Sequence, residues 1–263
     1  MTLSINDDTV DKVVTGSDVV VDGLDSVSAR YTINRACVRL KVPYIFGSAI
    51  VTTGSATTII PNKTACLECF QPSLKDEEMP KCGTEGVHPS ILTTISSVQV
   101  SETIRIITGK EPNLANKLFL ADIKKLDYDK ITIIKQNRCK VCGSNADLSM
   151  KKTKRKLIEN ICGREGKSVH IISPKEDLKI NLDYLNKIIE RKQFKIIRKG
   201  ELGTTIKYNE QITISIVSSG VSIIVGASEE KRALEIFSEI MIDELKINPE
   251  DIDNEFKRLV QFN

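Results

Sequence analysis

The sequence predicts an α/β protein with a parallel sheet in its first part, followed by a small α+β domain. Three features carry that expectation. A short unbroken apolar run, Val19–Val21 in "DVVVDG", leads through a turn into a helical pattern and then a second apolar run, "VPYIFGSAI". This β-α-β order is the grammar of parallel sheets. Two Cys-x-x-Cys pairs, Cys66/Cys69 in "ACLECF" and Cys139/Cys142 in "NRCKVCGS", each follow a strand-like run. Beyond Gly143 the pattern changes to short strands broken by two amphipathic helices. The expected domains are residues 1–143 and 144–263.

The elements follow in order. "DVVVDG" reads as a buried strand because three valines stand together between aspartates. "SARYTINRACVRLK" puts Ala29, Ile33, Ala36, Cys37 and Leu40 near one helical face, so Cys37 belongs to the core. Pro43 marks the connection to the next strand. "ATTII" is a further strand, and residues 66–90, rich in Cys, Pro and Gly, form a loop. "SILTTISSVQVSETIRIITG" is a helix that Gly109 stops. "ITIIK" leads into the second cysteine pair. In the second domain "SVHII", "FKIIRK", "TTIKY", "ITISIV" and "SGVSIIVG" are strands. "LKINLDYLNKIIERK" and "SEEKRALEIFSEIMIDEL" are helices, the latter with Ser228 as cap and Leu234, Phe237 and Met241 buried. A short helix follows Pro249.

Composition bounds the function. Of 263 residues, 40% are hydrophobic and 28% charged, which fits a globular protein rather than a disordered one. No run of eighteen apolar residues suggests a spanning helix, and "MTLSINDDTVDK" lacks the basic start and apolar core of a signal peptide. The expectation is a cytoplasmic protein with no membrane partner. A net charge of +3 is too small to imply nucleic-acid binding. The basic stretch Lys151, Lys152, Lys154, Arg155 and Lys156 has no interleaved aromatics, so it reads as a solvated face rather than an RNA surface.

The cysteines carry the clearest chemistry. In a reducing compartment, two Cys-x-x-Cys pairs favour metal over disulfides. Cys66, Cys69, Cys139 and Cys142 together supply four thiolates, the ligand set of a closed structural zinc site. Neither pair has the strand-CxxC-helix setting of a redox dithiol. Cys82, in "PKCGTEGVHP", is either an ordinary loop cysteine or an accessible nucleophile. Asp22 and Asp25 flank the turn after the first strand, where open α/β sheets bind ligands, and a carboxylate there could hold Mg²⁺ beside phosphates. Asp25 could equally cap the next helix. Arg30, one turn onward, could reach the same crevice. His170 has no ligand spacing and is given no role.

Together, "DVVVDGLDSVSARYTINRACVRLKVPYIFGSAI", "TTIIPNKTACLECF", "CGTEGVHPSI" and "CKVCG" resemble the ubiquitin-activating-like adenylyltransferases of the ThiF/MoeB/HesA type, over roughly residues 15 to 143. The resemblance implies ATP-dependent adenylation of the C-terminal glycine of a ubiquitin-like or sulfur-carrier protein. It implies a metal-binding aspartate at Asp25, a crossover-loop cysteine for sulfur or thioester transfer at Cys82, zinc on the four cysteines, and a homodimer. Ser26 stands where the family usually has asparagine. No GxGxxG precedes "DVVVDG". The expected fold is therefore a truncated Rossmann-like parallel sheet with a crossover loop and zinc knuckle. Its ATP loop and N-terminal nucleotide-binding half are expected to be missing, through a truncated gene product, a mis-called start, or a split enzyme whose complementing half supplies them. The rival readings are a non-catalytic carrier-binding scaffold stiffened by zinc, and a zinc-ribbon RNA-binding protein.

Overall fold

The computed structural model describes residues 5–80, 85–146, 157–162, 167–254, 256 and 258. The chain divides into two compact units, Ile5–Thr153 and Lys154–Asn263.

The first unit runs α1 (Val10–Val14), β1 (Val20–Val21), α2 (Val27–Leu40), β2 (Tyr44–Ile50), β3 (Thr53–Ile59), α3 (Leu67–Phe70), α4 (Pro89–Ile107), β4 (Lys117–Asp122) and β5 (Asp127–Thr132). The five strands form one sheet in sequence order. The predicted β-α-β unit is present: β1 lies parallel to β2, with Val20 opposite Tyr44, and α2 makes the crossover. The rest of the sheet departs from the expectation. All other pairings are antiparallel, so the sheet is mixed rather than parallel. The cause is local. β2 and β3 are joined by two residues, Val51 and Thr52, and so short a link can only reverse the chain. Val51 takes φ +52° in that turn, and its amide and carbonyl are bonded to Gly86 O and His88 N. Nor is β1 a buried strand. It is two residues at the sheet edge, and Val21 is 46% exposed.

α2 begins one residue later than an Asp25 cap would require. Ser26 is the N-cap, its hydroxyl accepting from Ala29 N at 3.4 Å. The helix buries Val27, Tyr31, Ile33, Ala36, Cys37 and Val38 against Val14, Tyr44, Phe46, Ile59 and Leu67. Burying a side chain of this size contributes about 1.5–3 kcal/mol, so this one face supplies much of what holds α2 to the sheet. α4, capped by the His88 ring and followed by Gly109 at φ +71°, packs Ile91 and Ile95 on β2 and β3. Gly54 permits that approach, since a Cβ there would lie 2.6 Å from Ile95.

The second unit contains β6 (Ile158–Cys162), β7 (Ser168–Ile172), α5 (Leu182–Arg191), β8 (Lys195–Lys199), β9 (Gly203–Lys207), β10 (Thr213–Val217), β11 (Ser222–Val225), α6 (Glu230–Ser238), a π-helical turn over Glu239–Glu244, and α7 (Pro249–Ile252). Its six strands are antiparallel in the order 6-7-11-10-9-8. Alternation sends Ile172, Ile206, Ile214, Ile216 and Ile224 into one core with Leu185, Ile189, Phe237 and Met241. The α6 cap is Glu229, without a side-chain bond, rather than Ser228. The edge strand β8 carries Lys195, Arg198 and Lys199 and a bulge between Ile196 and Arg198, features that discourage pairing with another chain. The basic segment at 151–156 lies outside the described residues.

Candidate functional site

The turn between β1 and α2 is built around a buried carboxylate. Asp22, at the carboxyl end of β1, has a fully buried side chain. It accepts from Arg30 Nε at 3.0 Å, Tyr44 OH at 2.8 Å and Leu24 N at 2.8 Å, with Gly47 N at 3.5 Å. Burial, then the Asp22 charge, pushes the Tyr44 phenol well above its ordinary value, so it stays a donor. Arg30 reaches the crevice as expected, but its Nε and Nη2 are spent on protein. Nη2 donates to the carbonyls of Leu24 and Gly47, and the guanidinium lies 5.6 Å from the centre of the Phe46 ring. Arg30 thus staples the turn to the middle of β2. Asp25, by contrast, is exposed and has no hydrogen-bond or ion-pair partner among the described residues.

Gln99 completes this arrangement and was not anticipated. It is buried on α4, and its Nε2 donates to the carbonyls of Asp22 at 2.9 Å and Ile45 at 3.3 Å. Gly47 lies flat against it, since a Cβ there would fall 2.4 Å from Nε2. The signal was in the sequence. Ile91, Ile95, Gln99 and Glu102 share the buried stripe of α4, and a polar residue on such a stripe needs partners. Glu102 finds its own in Thr58 Oγ1 and the amides of Asn113 and Leu114, at 2.7 to 3.0 Å.

The second constellation unites the two Cys-x-x-Cys pairs. Cys66, Cys69, Cys139 and Cys142 hold their sulfurs within 4.8 Å of one another, Cys66–Cys139 at 3.6 Å and Cys69–Cys142 at 3.3 Å. Four sulfurs about 2.3 Å from a tetrahedral zinc would stand about 3.8 Å apart, so the cluster has the dimensions of a four-thiolate metal site. Gln136 N and Val141 N point at the sulfurs of Cys69 and Cys139, at 3.4 and 3.5 Å. Gly143 is required by close approach, because a Cβ would meet Cys139 O at 2.5 Å. The thiols share charge unevenly. Cys142 falls to about 5, chiefly through its bond to Cys66, while that bond and burial push Cys66 far up. Burial raises Cys69 to about 11. A divalent cation would remove this conflict by accepting all four as thiolates.

The structure therefore brings Asp22, Asp25 and Arg30 to one turn and the four cysteines to one cluster. Cys82 lies outside the described residues. Cys37 is a core residue, its thiol raised to about 12 by burial.

The ThiF family model matches residues 1–142, just over half of the 263 residues. The chain belongs to the ThiF family. That match overturns the expectation of a missing nucleotide-binding half. The segment it covers folds around its own Rossmann-like β-α-β unit and core. The truncated sheet, the missing ATP region and the complementing half inferred from it are withdrawn together.

Among curated relatives, the adenylyltransferase and sulfurtransferase MOCS3 of Culex quinquefasciatus is 33% identical over 67% of this chain and 40% of its own length. Protein HesA of Leptolyngbya boryana is 31% identical over 54% of this chain and 50% of its own. The SAMP-activating enzyme E1 of Haloferax volcanii is 30% identical over 51% and 50%. The chain thus spans half or less of each of these relatives. No helix among the described residues is long and apolar enough to cross a membrane.

Proposed function

We propose that this chain adenylates the C-terminal glycine of a ubiquitin-like or sulfur-carrier protein, using ATP. The observation that carries the reading is the ThiF family match over the segment that holds both the Asp25 turn and the cysteine pairs. Relatives named for adenylyl transfer and for SAMP activation support it.

In this reading the carrier's terminal carboxylate oxygen attacks the α-phosphorus of ATP, and pyrophosphate leaves. Asp25, exposed at the carboxyl end of β1, would hold Mg²⁺ together with phosphate oxygens. That cation would supply charge compensation at the phosphates. Arg30 contributes by fixing the turn: its bonds to Asp22, Leu24 and Gly47 set where Asp25 stands. The four cysteines would hold zinc as a structural clamp, four thiolates filling its ligand set. Cys82 is the acceptor for a later step, its thiolate attacking the acyl carbon and AMP leaving. A homodimer fits α4, whose outer face exposes Leu92, Val100, Ile104 and Ile107.

The test is ATP–pyrophosphate exchange with a panel of carrier proteins ending in Gly-Gly. Exchange is expected with at least one carrier, and Asp25→Ala should lower it by about a hundredfold or more, the scale of a transition-state charge contact. Carrier binding without exchange would replace this reading by the scaffold.

A further inference from the structure

The pairing of β1 with β2 ends by a change of partner. Val20 N donates to Pro43 O at 2.9 Å and Asp22 N to Ile45 O at 3.0 Å, alternate bonds of a parallel ladder. The next bond of that ladder would run from Gly47 N to the Asp22 carbonyl. It is not made, and the register stops at Val21 opposite Ile45. Gln99 Nε2 takes the Asp22 carbonyl instead, at 2.9 Å, and shares the Ile45 carbonyl at 3.3 Å. Gly47 N is left with the Asp22 side chain, Oδ2, at 3.5 Å, and Gly47 O accepts from Arg30 Nη2 at 3.1 Å. Side chains thus stand where a longer β1 would have paired. Released from β2, the chain turns away through Gly23 and Leu24 to the exposed Asp25.

α4 does not depend on Gln99 for its place. Ile91 and Ile95 pack it on the sheet, and Glu102 accepts from Thr58 Oγ1 at 2.7 Å and from Leu114 N at 2.9 Å. The Gln99 amide therefore acts on the turn rather than on the helix. Both of its acceptors are carbonyls, so its nitrogen faces them. A glycine inside a strand marks close approach, and Gly47 is where this amide lies against β2.

We propose that Gln99 is a positioning residue for Asp25. By occupying the Asp22 carbonyl it keeps the β1–β2 ladder from closing at Gly47, and the point where β1 leaves the sheet sets where the turn projects Asp25. Without that amide, Gly47 N takes the Asp22 carbonyl, β1 gains a pair and the turn is drawn toward β2. The consequence for Mg²⁺ at Asp25 rests on the adenylating reading of this turn; the effect on the ladder does not.

The test is residue-resolved hydrogen exchange on the full chain, comparing wild type with Gln99→Met, which keeps the length of the side chain and removes its donors. The two amides at stake should move oppositely. Gly47, gaining the Asp22 carbonyl, is expected to exchange about tenfold more slowly, and Leu24, which donates to Asp22 Oδ1 at 2.8 Å, about tenfold faster, the scale of one net hydrogen bond. Faster exchange at both, or no slowing at Gly47, would mean that Gln99 only holds the fold together and would overturn the proposal. If Gln99→Met unfolds the first unit, the same comparison on Gln99→Asn decides, because Asn keeps the amide and draws it back by one carbon. ATP–pyrophosphate exchange tests the functional part. The Mg²⁺ concentration for half-maximal rate should rise about tenfold in Gln99→Met, the scale on which a lost supporting contact weakens a metal site, while the half-saturating carrier concentration stays unchanged. A lower rate with an unchanged Mg²⁺ dependence would refute the link to Asp25. If wild type shows no exchange with any carrier while Gly47 still responds as stated, the adenylating reading fails and the ladder role of Gln99 stands.

Discussion

Asp22→Ala is the most informative single perturbation of the first unit. The carboxylate is completely buried and Arg30 is 15% exposed, so removing Asp22 leaves a mostly desolvated guanidinium without its counter-charge. Breaking such a pair costs about 3–5 kcal/mol. The Tyr44 hydroxyl, also fully buried, loses its acceptor at 2.8 Å, a further cost of about 1–3 kcal/mol. One carboxylate serves both donors, so the costs overlap, and about 4 kcal/mol is expected in total. Asp22→Asn keeps the shape and one acceptor oxygen and should cost about half as much. Because the chain has two units, the effect is best read by hydrogen exchange, with the amides of β2 as reporter and those of β10 as an internal control. A loss of 4 kcal/mol accelerates globally exchanging amides by nearly a thousandfold. A change in β2 of less than about fivefold would refute the claim that this buried pair holds the turn. Equal acceleration in β10 would refute the assignment of the effect to this unit.

Two further outcomes are expected. The chain should purify with about one zinc, measurable by elemental analysis, and Cys142→Ser or Cys66→Ser should lose most of it and lower the stability of the first unit by several kcal/mol. Stability should also fall in alkali through Cys37. Its folded-state pKa of about 12 is raised above 9.0, so its contribution is complete below pH 9 and is lost as pH rises from 9 to 12. The loss is about 2 kcal/mol at pH 10.5, and Cys37→Ala should flatten that part of the pH profile in urea titrations.

Much of the architecture was legible in residue order. α2 was readable because Ile33, Ala36 and Cys37 repeat at helical spacing, and the helices of the second unit for the same reason. The metal cluster was readable because thiolate chemistry restricts what two Cys-x-x-Cys pairs can do. The reversal between β2 and β3 was hidden. "IVTT" is an unbroken β-branched run, and its turn falls on Val51 in a left-handed conformation usually reserved for Gly or Asn. No turn residue announces it, and the parallel-sheet expectation followed. β4 was overlooked, and "ITIIK" mostly follows β5 rather than forming it. Gln99 was missed because its partners are backbone groups far along the chain, 77 residues away in the bond to Asp22. Backbone partners leave no mark on the partner's identity.

The cysteine cluster also sets a timetable for synthesis. Cys69 and Cys142 touch across 73 residues of chain. At about 5–20 residues per second, a ribosome needs roughly 4 to 15 s to deliver the second pair after the first. Through that interval Cys66 and Cys69 are an incomplete chelate, two thiols with half a coordination shell, free to be oxidised or to take metal from the wrong donor. The nascent chain therefore depends on a reducing environment for seconds before its own fold can protect these sulfurs. Slowing translation between the two pairs should lower the yield of correctly metallated protein without changing a single residue.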